Sequence, residues 1–579
     1  MKHHWHITGS DAAAAGDLAR ALGVSKLLAQ CLMNRGLGDE TEAANFLAPR
    51  LANLAAPEDI PNLSIAVERL FVARERGERI AVFGDYDVDG VTSATLLLDC
   101  LRPLGWQVEA YLPHRMDEGY GLTTVGVANC LQKLQPDLLL AVDCGSTSLE
   151  VIADLKTKGI EVIVLDHHQV SDPPPPALAI VNPQLAAEDE PDFRELCSAG
   201  LAFKLIHGLV KAGREKGIDE CGEFDIRTVL DLVALGTLAD MVPLRGENRI
   251  LAHAGLLQLN RTKRPGILAL AKAAGITGEI GGIEVGFQIG PRLNAAGRLG
   301  SASAALDLLR ETNAAAATEL AGKLDRQNRN RQLAEKEITR QVIDTVRNRF
   351  NPETDFAIVE GDPGWHIGVV GIVASRVMRE FCRPTLIVGG SPDGGLRGSG
   401  RSVEGFDLAA ALRECERAGI LDRAGGHAMA AGVSLQPENL DAFRTHLNEL
   451  AREQLSGKEM MPTLQLDASV PLMELTFAAV QSLDQLQPTG QGNHSVQFSI
   501  PQLELDAPVR RMGKEQQHAK LSVTDGNTSA DAICWNATEC DLPTENIGRF
   551  DLAVEPSINT WRGQRSLQLK ILDWRPAVN

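Results

Sequence analysis

The sequence lacks the features that mark membrane, secreted and zinc-binding proteins. No apolar run approaches the roughly 18 residues that a membrane-spanning helix needs. The opening residues, Met1-Lys-His-His-Trp-His6, lack the apolar stretch of a secretory signal. The ten cysteines are scattered, with no C-x-x-C pair and no zinc-type spacing. We therefore expect a reduced, cytoplasmic protein that does not enter a membrane.

The sequence also lacks an excess of positive charge. Its 57 lysines and arginines are outnumbered by 76 aspartates and glutamates, which gives a formal net charge of −19. This balance argues against a protein that coats nucleic acid generally, but it is compatible with a local basic groove. With 579 residues, of which 44% are hydrophobic and 23% charged, the chain has the composition of a globular protein with roughly three or four domains.

The most informative stretch is an apolar run that ends in three aspartates. Ile80–Phe83 predicts a buried strand, Asp85, Asp87 and Asp89 follow at alternate positions, and Gly90 allows the chain to turn into a helix. Three carboxylates so close together repel one another and raise each other's pKa unless a cation neutralises them. A hard divalent metal with oxygen ligands explains this pattern better than the alternative, an acidic surface turn.

Residues from about 65 to 265 alternate apolar runs with helix-length segments, which predicts a parallel α/β sheet. Further runs end at Asp143 and at Asp166-His167-His168, and an apolar helix ends at Asp240. Ligands bind at the carboxyl ends of the strands in such sheets, so we expect these side chains to meet there. The alternative for His167 and His168 is a hydrogen-bonded pair with no role in a site.

Two later stretches suggest phosphate binding. Residues 287–300 predict a Gly-rich basic loop with Arg292, Asn294 and Arg298, and a strongly helical segment follows from Thr312 to Phe350. In a second α/β domain, Gly398-Ser399-Gly-Arg401 is typical of a phosphate-binding turn. Gly425-Gly-His427 predicts an imidazole on a Gly-rich loop. Tight turns and close packing are the alternative for both glycine clusters.

The last section, from about residue 465, consists of closely spaced short strands that predict a small antiparallel barrel. Phe498, Trp535 and Trp561 are candidate platforms for stacking the bases of a single strand. Basic residues accompany them, namely Arg510, Arg511, Lys514, His518 and Lys520. Burial in the barrel core is the alternative for each aromatic side chain.

Four segments in a fixed order resemble the motifs of the DHH phosphoesterases: Gly84-Asp-Tyr-Asp-Val-Asp-Gly90, Asp143-Cys-Gly145, Asp166-His-His168 and Gly236-Thr-Leu-Ala-Asp240. Asn294-Ala-Ala-Gly-Arg298 and the segment 425–432 extend the resemblance along essentially the whole chain, to the branch of single-strand-specific 5′→3′ DNA exonucleases. The resemblance implies an α/β fold in which a DHH-type parallel-sheet domain is joined by a long helix to a second, DHH-associated α/β domain, with a C-terminal OB-type barrel.

The domains implied are a helical N-terminal cap on the next domain at 1–60, the DHH catalytic domain at 61–265, a connecting region with the long helix at 266–350, the DHH-associated domain at 351–460 and the OB-fold domain at 461–579.

The resemblance also implies two Mn²⁺ or Mg²⁺ ions and assigns their ligands. Asp87 would bind the first ion, Asp89 the second, and Asp143 both; His167 and Asp240 would complete the second site, with Asp85 and His168 in or just behind the shell. Phe83 stands where some relatives have a histidine, so we expect the first site to be more open and to bind its ion more weakly.

Substrate contacts are implied in the same way. Arg115, Ser399 and Arg401 would hold a 5′ phosphate, and His427 would lie near the scissile phosphate. The alternative for Arg115 is a solvated loop residue.

The implied activity is metal-dependent degradation of single-stranded DNA from its 5′ end to mononucleotides, in recombination and in mismatch and base-excision repair. A monomer is expected, with a single-strand-binding protein and a RecQ-type helicase as partners. Two alternatives stay open. One is a DHH phosphoesterase acting on short oligonucleotides or cyclic dinucleotides, which the long chain and the barrel disfavour. The other is a non-catalytic DNA-binding scaffold, which the intact acidic residues disfavour.

Overall fold

The computed structural model describes residues 3–9, 11–114, 117–186, 192–299, 302–391, 394–537, 542–544, 547–561 and 564–577. The chain forms two compact units, one mainly of Trp5–Asp325 and Gln465–Asn579 and the other mainly of Arg326–Leu464. Within the described residues, no helix has both the length and the hydropathy that crossing a bilayer requires. The cysteines in this part of the chain are all free thiols.

The N-terminal region contains one strand and four helices: β1 (His4–Ile7), α1 (Ala12–Leu22), α2 (Lys26–Asn34), α3 (Glu40–Leu47) and α4 (Leu63–Arg76). The buried faces of α1 to α3 share a hydrophobic core with the C-terminal barrel, and Arg35 makes a fully buried ion pair with Asp467 at 2.9 Å. These helices therefore pack against the barrel at the other end of the chain, while Arg249 of the next domain donates to the carbonyl of Phe46 in α3. Their role as a cap on that domain stays a prediction.

The parallel sheet and its helices follow: β2 (Arg79–Gly84), α5 (Val88–Leu101), β3 (Gln107–Tyr111), α6 (Thr124–Leu134), β4 (Leu138–Val142), α7 (Leu149–Thr157), β5 (Glu161–Leu165) and β6 (Ala179–Val181). The strand order is β3-β2-β4-β5-β6, with every pairing parallel. The predicted parallel sheet is confirmed, but β3 was not predicted. This edge strand alternates exposed and buried residues and therefore offers no continuous apolar run.

A helical region comes next: α8 (Ser198–Glu215), α9 (Asp219–Glu223), α10 (Leu230–Ala239), α11 (Gly246–Leu259), α12 (Pro265–Ala274), α13 (Gly282–Glu284), α14 (Gly290–Leu299), α15 (Ser303–Arg310) and α16 (Ala314–Arg347). The predicted basic loop at 287–300 is wrong, since a π-helical turn, Val285–Ile289, leads directly into α14. Its glycines serve packing, because a Cβ on Gly297 would lie 2.8 Å from the carbonyl oxygen of Tyr86. The predicted long helix is confirmed as α16.

The second unit contains β7 (Ile358–His366), α17 (Ile367–Phe381), β8 (Thr385–Gly390), β9 (Leu396–Arg401), α18 (Leu408–Arg417), β10 (Arg423–His427), β11 (Ala430–Leu435) and α19 (Leu440–Leu455). Its sheet has the order β10-β11-β9-β8-β7, and only β7 and β8 are parallel. The predicted phosphate-binding turn is wrong, because Gly398 and Arg401 belong to strand β9. Gly398 allows close packing, since a Cβ on it would lie 2.4 Å from Val388 Cγ1. His427 ends β10 in a hairpin with β11.

The C-terminal section contains β12 (Thr463–Leu466), β13 (Ala468–Ser469), α20 (Phe477–Ser482), β14 (Phe498–Met512), β15 (His518–Thr524), β16 (Ser529–Cys534), β17 (Phe550–Trp561) and β18 (Gln564–Pro576). The order β13-β14-β15-β16-β18-β17 closes through a further β14–β17 pairing, which confirms the barrel. It is not wholly antiparallel, because β16 and β18 run parallel, as do β13 and β14.

Short 3₁₀ turns complete the chain: Leu51–Asn53, Pro57–Asp59, Pro183–Leu185, Ile226–Val229, Pro437–Asn439, Leu472–Glu474 and Leu483–Leu486.

Candidate metal centre

Three aspartates lie side by side just beyond the parallel strands. Asp85, Asp143 and Asp166 directly follow β2, β4 and β5, and their backbone N–H groups continue the sheet ladder. The N–H of Asp85 donates to the carbonyl of Val142 at 3.3 Å, and that of Asp143 donates to Leu165 at 2.9 Å. The carboxyl ends of parallel strands meet at one edge, so the side chains converge as the sequence predicted.

Potential ligand atoms form three overlapping groups, each with its atoms within 4.8 Å of one another. The groups are Asp85, Asp87 and Asp143; Asp89, His167 and Asp240; and Asp143, Asp166, His167 and His168. All of these residues except His168, whose side chain is 43% exposed, are buried or half-buried. The structure thus brings together, within one unit, every residue for which the sequence predicted a role as a metal ligand.

A gap between His167 and two carboxylates has the chemistry of a cation site. His167 Nε2 lies 3.5 Å from Asp143 Oδ1 and 3.5 Å from Asp240 Oδ2. The atom is buried and makes no hydrogen bond within the described residues. The pKa of His167 is lowered, chiefly by burial, which favours the neutral imidazole that binds metals. Mixed carboxylate and imidazole ligands suit Mn²⁺ better than Ca²⁺, so these residues fit the expected ions.

The carboxylates carry a strong electrostatic penalty. Burial raises the pKa of Asp143 well above its usual range, and the charges of Asp87 and Asp89 add to the effect. Burial and the nearby Asp240 and Asp87 likewise raise the pKa of Asp89. A bound cation would relieve this repulsion and favour the ionised carboxylates.

Asp166 and His168 behave differently from their neighbours. Burial opposes ionisation of Asp166, but the hydrogen bond and charge of His168 outweigh it and lower its pKa to about 2. The same bond, 2.7 Å from His168 Nδ1 to Asp166 Oδ1, raises the pKa of His168 to about 9. Asp166 also accepts the backbone N–H of Ser146 at 3.1 Å. This carboxylate therefore orients His168 and joins two strand ends.

Helix α8 fixes Asp89 in place. Asp89 Oδ2 accepts the N–H of Ser198 at 2.7 Å, and Oδ1 accepts the N–H of Ala199 at 2.9 Å. The hydroxyl of Ser198 donates to Asp143 Oδ1 at 3.0 Å. Sequence reasoning missed Ser198, because no local pattern marks a serine that reaches the site from a helix more than fifty residues downstream. Gly236 of α10 packs here too, since a Cβ on it would lie 2.7 Å from Asp89 Oδ1.

Two non-glycine residues at this centre adopt the left-handed backbone conformation. Asp143 has φ of 62° and Met241, which follows Asp240, has φ of 61°. Such left-handed conformations cost about 1–3 kcal/mol for residues other than glycine, and they cluster at functional sites. Phe83 adds no ligand, because its ring is fully buried and stacks on Tyr111 at 5.6 Å.

Helix α14 supports the centre from behind. Asn294 Oδ1 accepts the N–H of Val88 at 3.1 Å, at the start of the helix that follows Asp87. Arg292 pairs with Asp325 at 3.0 Å and donates to the carbonyl of Gln288 at 2.7 Å. Arg298 is half-buried on the same helix. Contact of these three residues with substrate stays a prediction.

The second unit gathers its own polar residues around β9. Arg401 Nη1 donates to Ser399 Oγ at 2.8 Å and to the carbonyl of Gly400 at 2.7 Å. Both side chains face α17, because a Cβ on Gly371 would lie 3.1 Å from Ser399 Oγ and 3.4 Å from Arg401 Nη2. Ala430 of the intervening strand β11 pairs with Arg401 of β9 on one side and with the exposed His427 of β10 on the other. Burial lowers the pKa of Arg401.

The aromatic residues predicted to stack on bases differ in their exposure. Phe498 is fully buried in the core, so its prediction as a stacking platform is wrong. The side chain of Trp535 is 47% exposed and lies edge-on to His518 at 4.7 Å. The Trp561 side chain lies outside the described part of the chain, and so does Arg115.

Three family profiles match the chain: the DHH family N-terminal domain at 79–237, the DHHA1 domain at 353–453 and the RecJ OB domain at 466–573. The single-stranded-DNA-specific exonuclease RecJ of Bacillus subtilis is 34% identical over 99% of this chain and 71% of its own. That of Escherichia coli is 34% identical over 94% of this chain and 95% of its own. This chain belongs to the RecJ family.

Solved RecJ structures agree with this assignment. RecJ of Thermus thermophilus in complex with Mn²⁺ superimposes with a TM-score of 0.83 at 31% identity, covering 100% of this chain and 80% of that one. The Mg²⁺ complex gives 0.78 at 29% identity, covering 100% and 79%. The predicted family, fold class and metals are confirmed, since RecJ of Thermus thermophilus was solved with Mn²⁺ and with Mg²⁺ and this chain assembles an acidic cluster that could hold such ions.

Proposed function

We propose that this RecJ-family protein is a two-metal exonuclease that hydrolyses single-stranded DNA from the 5′ end to mononucleotides. The observation that carries the proposal is the unpartnered His167 Nε2, which lies 3.5 Å from the carboxylates of Asp143 and Asp240. This arrangement occurs on a chain that aligns over nearly its full length with single-stranded-DNA-specific exonucleases.

Two ion positions account for the ligand groups. Asp87 and Asp143, with Asp85 beside them, would hold the first ion; Asp89, His167 and Asp240 would hold the second, with Asp143 shared. When bound, such ions would lower the pKa of a water and stabilise the charge that develops on the phosphodiester oxygens.

The chain's own residues supply preorganisation and charge. The two N–H groups of α8 hold Asp89 and the hydroxyl of Ser198 holds Asp143, so the carboxylates need little movement to bind. The hydrogen bond from His168 to Asp166 raises the pKa of His168 to about 9, which favours its protonated form. Its side chain is 43% exposed, so in that form it would offer a positive charge to an approaching phosphate.

The polar group on β9 would hold the 5′ phosphate. Ser399 and Arg401 sit beside the first turns of α17, and the N-terminus of a helix favours an anion. The guanidinium of Arg401 stays charged despite its lowered pKa and can donate two hydrogen bonds to a phosphate. His427, two strands away in register, would lie near the scissile phosphate, and Arg115 would add a further contact. Anchoring the 5′ end in this way accounts for exonucleolytic cleavage.

The barrel would hold the single strand that follows. The exposed Trp535 lies against the half-buried His518, and Arg510 of β14 pairs with Lys520 of β15, the strand that carries His518. Aromatic rings with nearby cations bind single strands without sequence preference. The proposed roles in recombination, mismatch repair and base-excision repair, and the proposed partners, a single-strand-binding protein and a RecQ-type helicase, rest on family membership.

The test is nuclease activity on 5′-labelled and 3′-labelled single strands and on blunt duplex, with Mn²⁺ or Mg²⁺. Asp143→Asn removes the shared ligand. Asp137→Asn is the matched control, because Asp137 precedes the same strand at its opposite end, where it accepts the N–H of Arg79. We expect metal-dependent release of 5′-labelled mononucleotide by wild type and by the control only. Cleavage confined to very short oligonucleotides, or binding of single strands without any cleavage, would overturn the proposal.

A further inference from the structure

An exposed aromatic ring stands at the rim of the metal centre and has no role in the account above. Tyr120 lies between β3 and α6 and is 59% exposed. Its ring packs edge-on against Tyr86, with centroids 5.9 Å apart and planes at 72°. Tyr86 separates Asp85 from Asp87 in the chain, so the contact places Tyr120 beside two predicted ligands.

A second contact places the same segment beside the shared ligand. Gly121 has φ of +70°, and a Cβ on it would lie 3.8 Å from the Cβ of Cys144, the residue after Asp143. Burial raises the pKa of the Tyr120 phenol, and the charges of Asp85 and Asp143 contribute to the shift. The hydroxyl end of the side chain is thus neutral and close to the carboxylates, while much of the ring is open.

The segment around Tyr120 is held firmly, although its aromatic residue is exposed. Glu118 accepts hydrogen bonds from the Tyr111 hydroxyl at 2.5 Å, the N–H of His114 at 2.6 Å and the side-chain amide of Asn129. The carbonyl of Glu118 accepts the hydroxyl of Thr123 at 2.7 Å. Contacts to both β3 and α6 therefore hold the backbone of the segment that carries the ring, and the edge contact with Tyr86 orients the ring itself.

We propose that Tyr120 is a substrate-positioning residue whose ring stacks on the base of an unpaired nucleotide next to the scissile phosphate. The inference rests on the proposed function and names a further part of the same site. Every base offers a π face, so such stacking is independent of sequence. A base within a duplex is already stacked and paired, so the ring would favour single strands.

The test combines protein variants with substrates that lack one base. Tyr120→Leu keeps bulk without an aromatic face, and Tyr120→Phe keeps the face without the hydroxyl. Single strands would carry a tetrahydrofuran abasic unit at the terminal or the second nucleotide. Phe477→Leu, at an exposed aromatic residue of α20 in the barrel region, is the control for loss of an exposed ring. The readouts are kcat and KM on each strand, together with Mn²⁺ affinity.

Stacking predicts that Tyr120→Leu lowers kcat/KM about 10-fold on the normal strand. On the strand abasic at the contacted position, the variant should match wild type within about 2-fold, because the wild type has lost the same contact. Tyr120→Phe, Phe477→Leu and the Mn²⁺ affinity of all variants should stay close to wild type. An equal loss by Tyr120→Leu on all strands, or a large loss by Tyr120→Phe, would overturn the inference. Absence of 5′→3′ cleavage by the wild type would instead count against the proposed function.

Discussion

The two α/β sheets of this protein carry their polar residues in different places. In the parallel sheet, the acids stand just beyond the strands, at Asp85, Asp143 and Asp166. In the second unit, Ser399 and Arg401 lie within strand β9. Parallel strands bring all their carboxyl ends to one edge, so short side chains after the strands converge on a small ion. In β9, alternation places residues two apart on one face, so Ser399 and Arg401 both face α17 and form a patch suited to a larger anion.

The first prediction removes a ligand from the parallel sheet's edge. Asp240→Asn keeps the shape of the side chain and removes the charge 3.5 Å from His167 Nε2. We expect kcat/KM on single-stranded DNA to fall by more than about 1000-fold, because the second ion loses an anionic ligand. Asp219→Asn, at the exposed start of α9, should leave activity unchanged. A loss below about 10-fold for Asp240→Asn would show that Asp240 is not a metal ligand.

The second prediction disturbs the same edge without replacing a ligand. Gly236→Ala places a methyl group 2.7 Å from Asp89 Oδ1 and 2.6 Å from the Cβ of Ala199. Displacing Asp89 by a fraction of an ångström should lower activity about 100-fold. Gly222→Ala is the matched control, because a Cβ there meets nothing within 4 Å. Equal activity of the two variants would mean that the close packing around Asp89 does not position it.

The third prediction concerns the second sheet alone. Arg401→Gln removes the guanidinium beside Ser399, so binding of strands with a 5′ phosphate should weaken about 10- to 100-fold. Strands with a 5′ hydroxyl should be bound equally by the variant and wild type. Binding measured by fluorescence anisotropy with both kinds of end distinguishes these cases, with Arg423→Gln on exposed β10 as control. An equal loss of affinity for 5′-phosphate and 5′-hydroxyl strands would show that Arg401 binds the strand generally and not its 5′ phosphate.

The fourth prediction uses the raised pKa of Asp143 in the metal-free protein. The unfolded carboxyl has a pKa of about 3.9, so the folded state holds the proton more tightly. The stability this provides is present below pH 4 and is lost as the pH rises through the raised pKa. With EDTA at pH 8, Asp143→Asn should therefore melt about 2 °C or more above wild type, and the difference should shrink towards pH 4.

Saturating Mn²⁺ should reverse this order, because the ion stabilises the wild type by binding its folded state. Thermal denaturation at several pH values, with and without metal, measures both effects. A metal-free wild type that is more stable than the variant at pH 8 would show that the cluster is not under electrostatic strain.

The contrast between the sheets also explains what the sequence could and could not predict. Acids that follow apolar runs are visible as a local pattern, and parallel topology then brings Asp85 and Asp143 together without further information. Ser198 was not predictable in this way, because its place beside Asp143 depends on how α8 packs. Asn294 was predicted as a candidate substrate contact, but its hydrogen bond to Val88 depends on the packing of α14 against α5.

Glycine was the main source of error. Residues 287–300 and 398–401 were interpreted as turns because glycine commonly permits them. In the structure, Gly297 and Gly398 lie in a helix and a strand, where any side chain would collide with Tyr86 or Val388. A sequence alone does not distinguish a glycine needed for conformation from one needed for close approach. Phe498 illustrates the corresponding limit for aromatics, since strand alternation directs it into the barrel.

The central claim is that the edge of the parallel sheet holds two metal ions. Titration of the metal-free chain with Mn²⁺, followed by calorimetry and by electron paramagnetic resonance of the free ion, measures the number bound. We predict two ions per chain for wild type and one for Asp89→Asn, since Asp87 and Asp143 remain for the first position. Saturation of wild type with one ion or none would contradict the two-metal account.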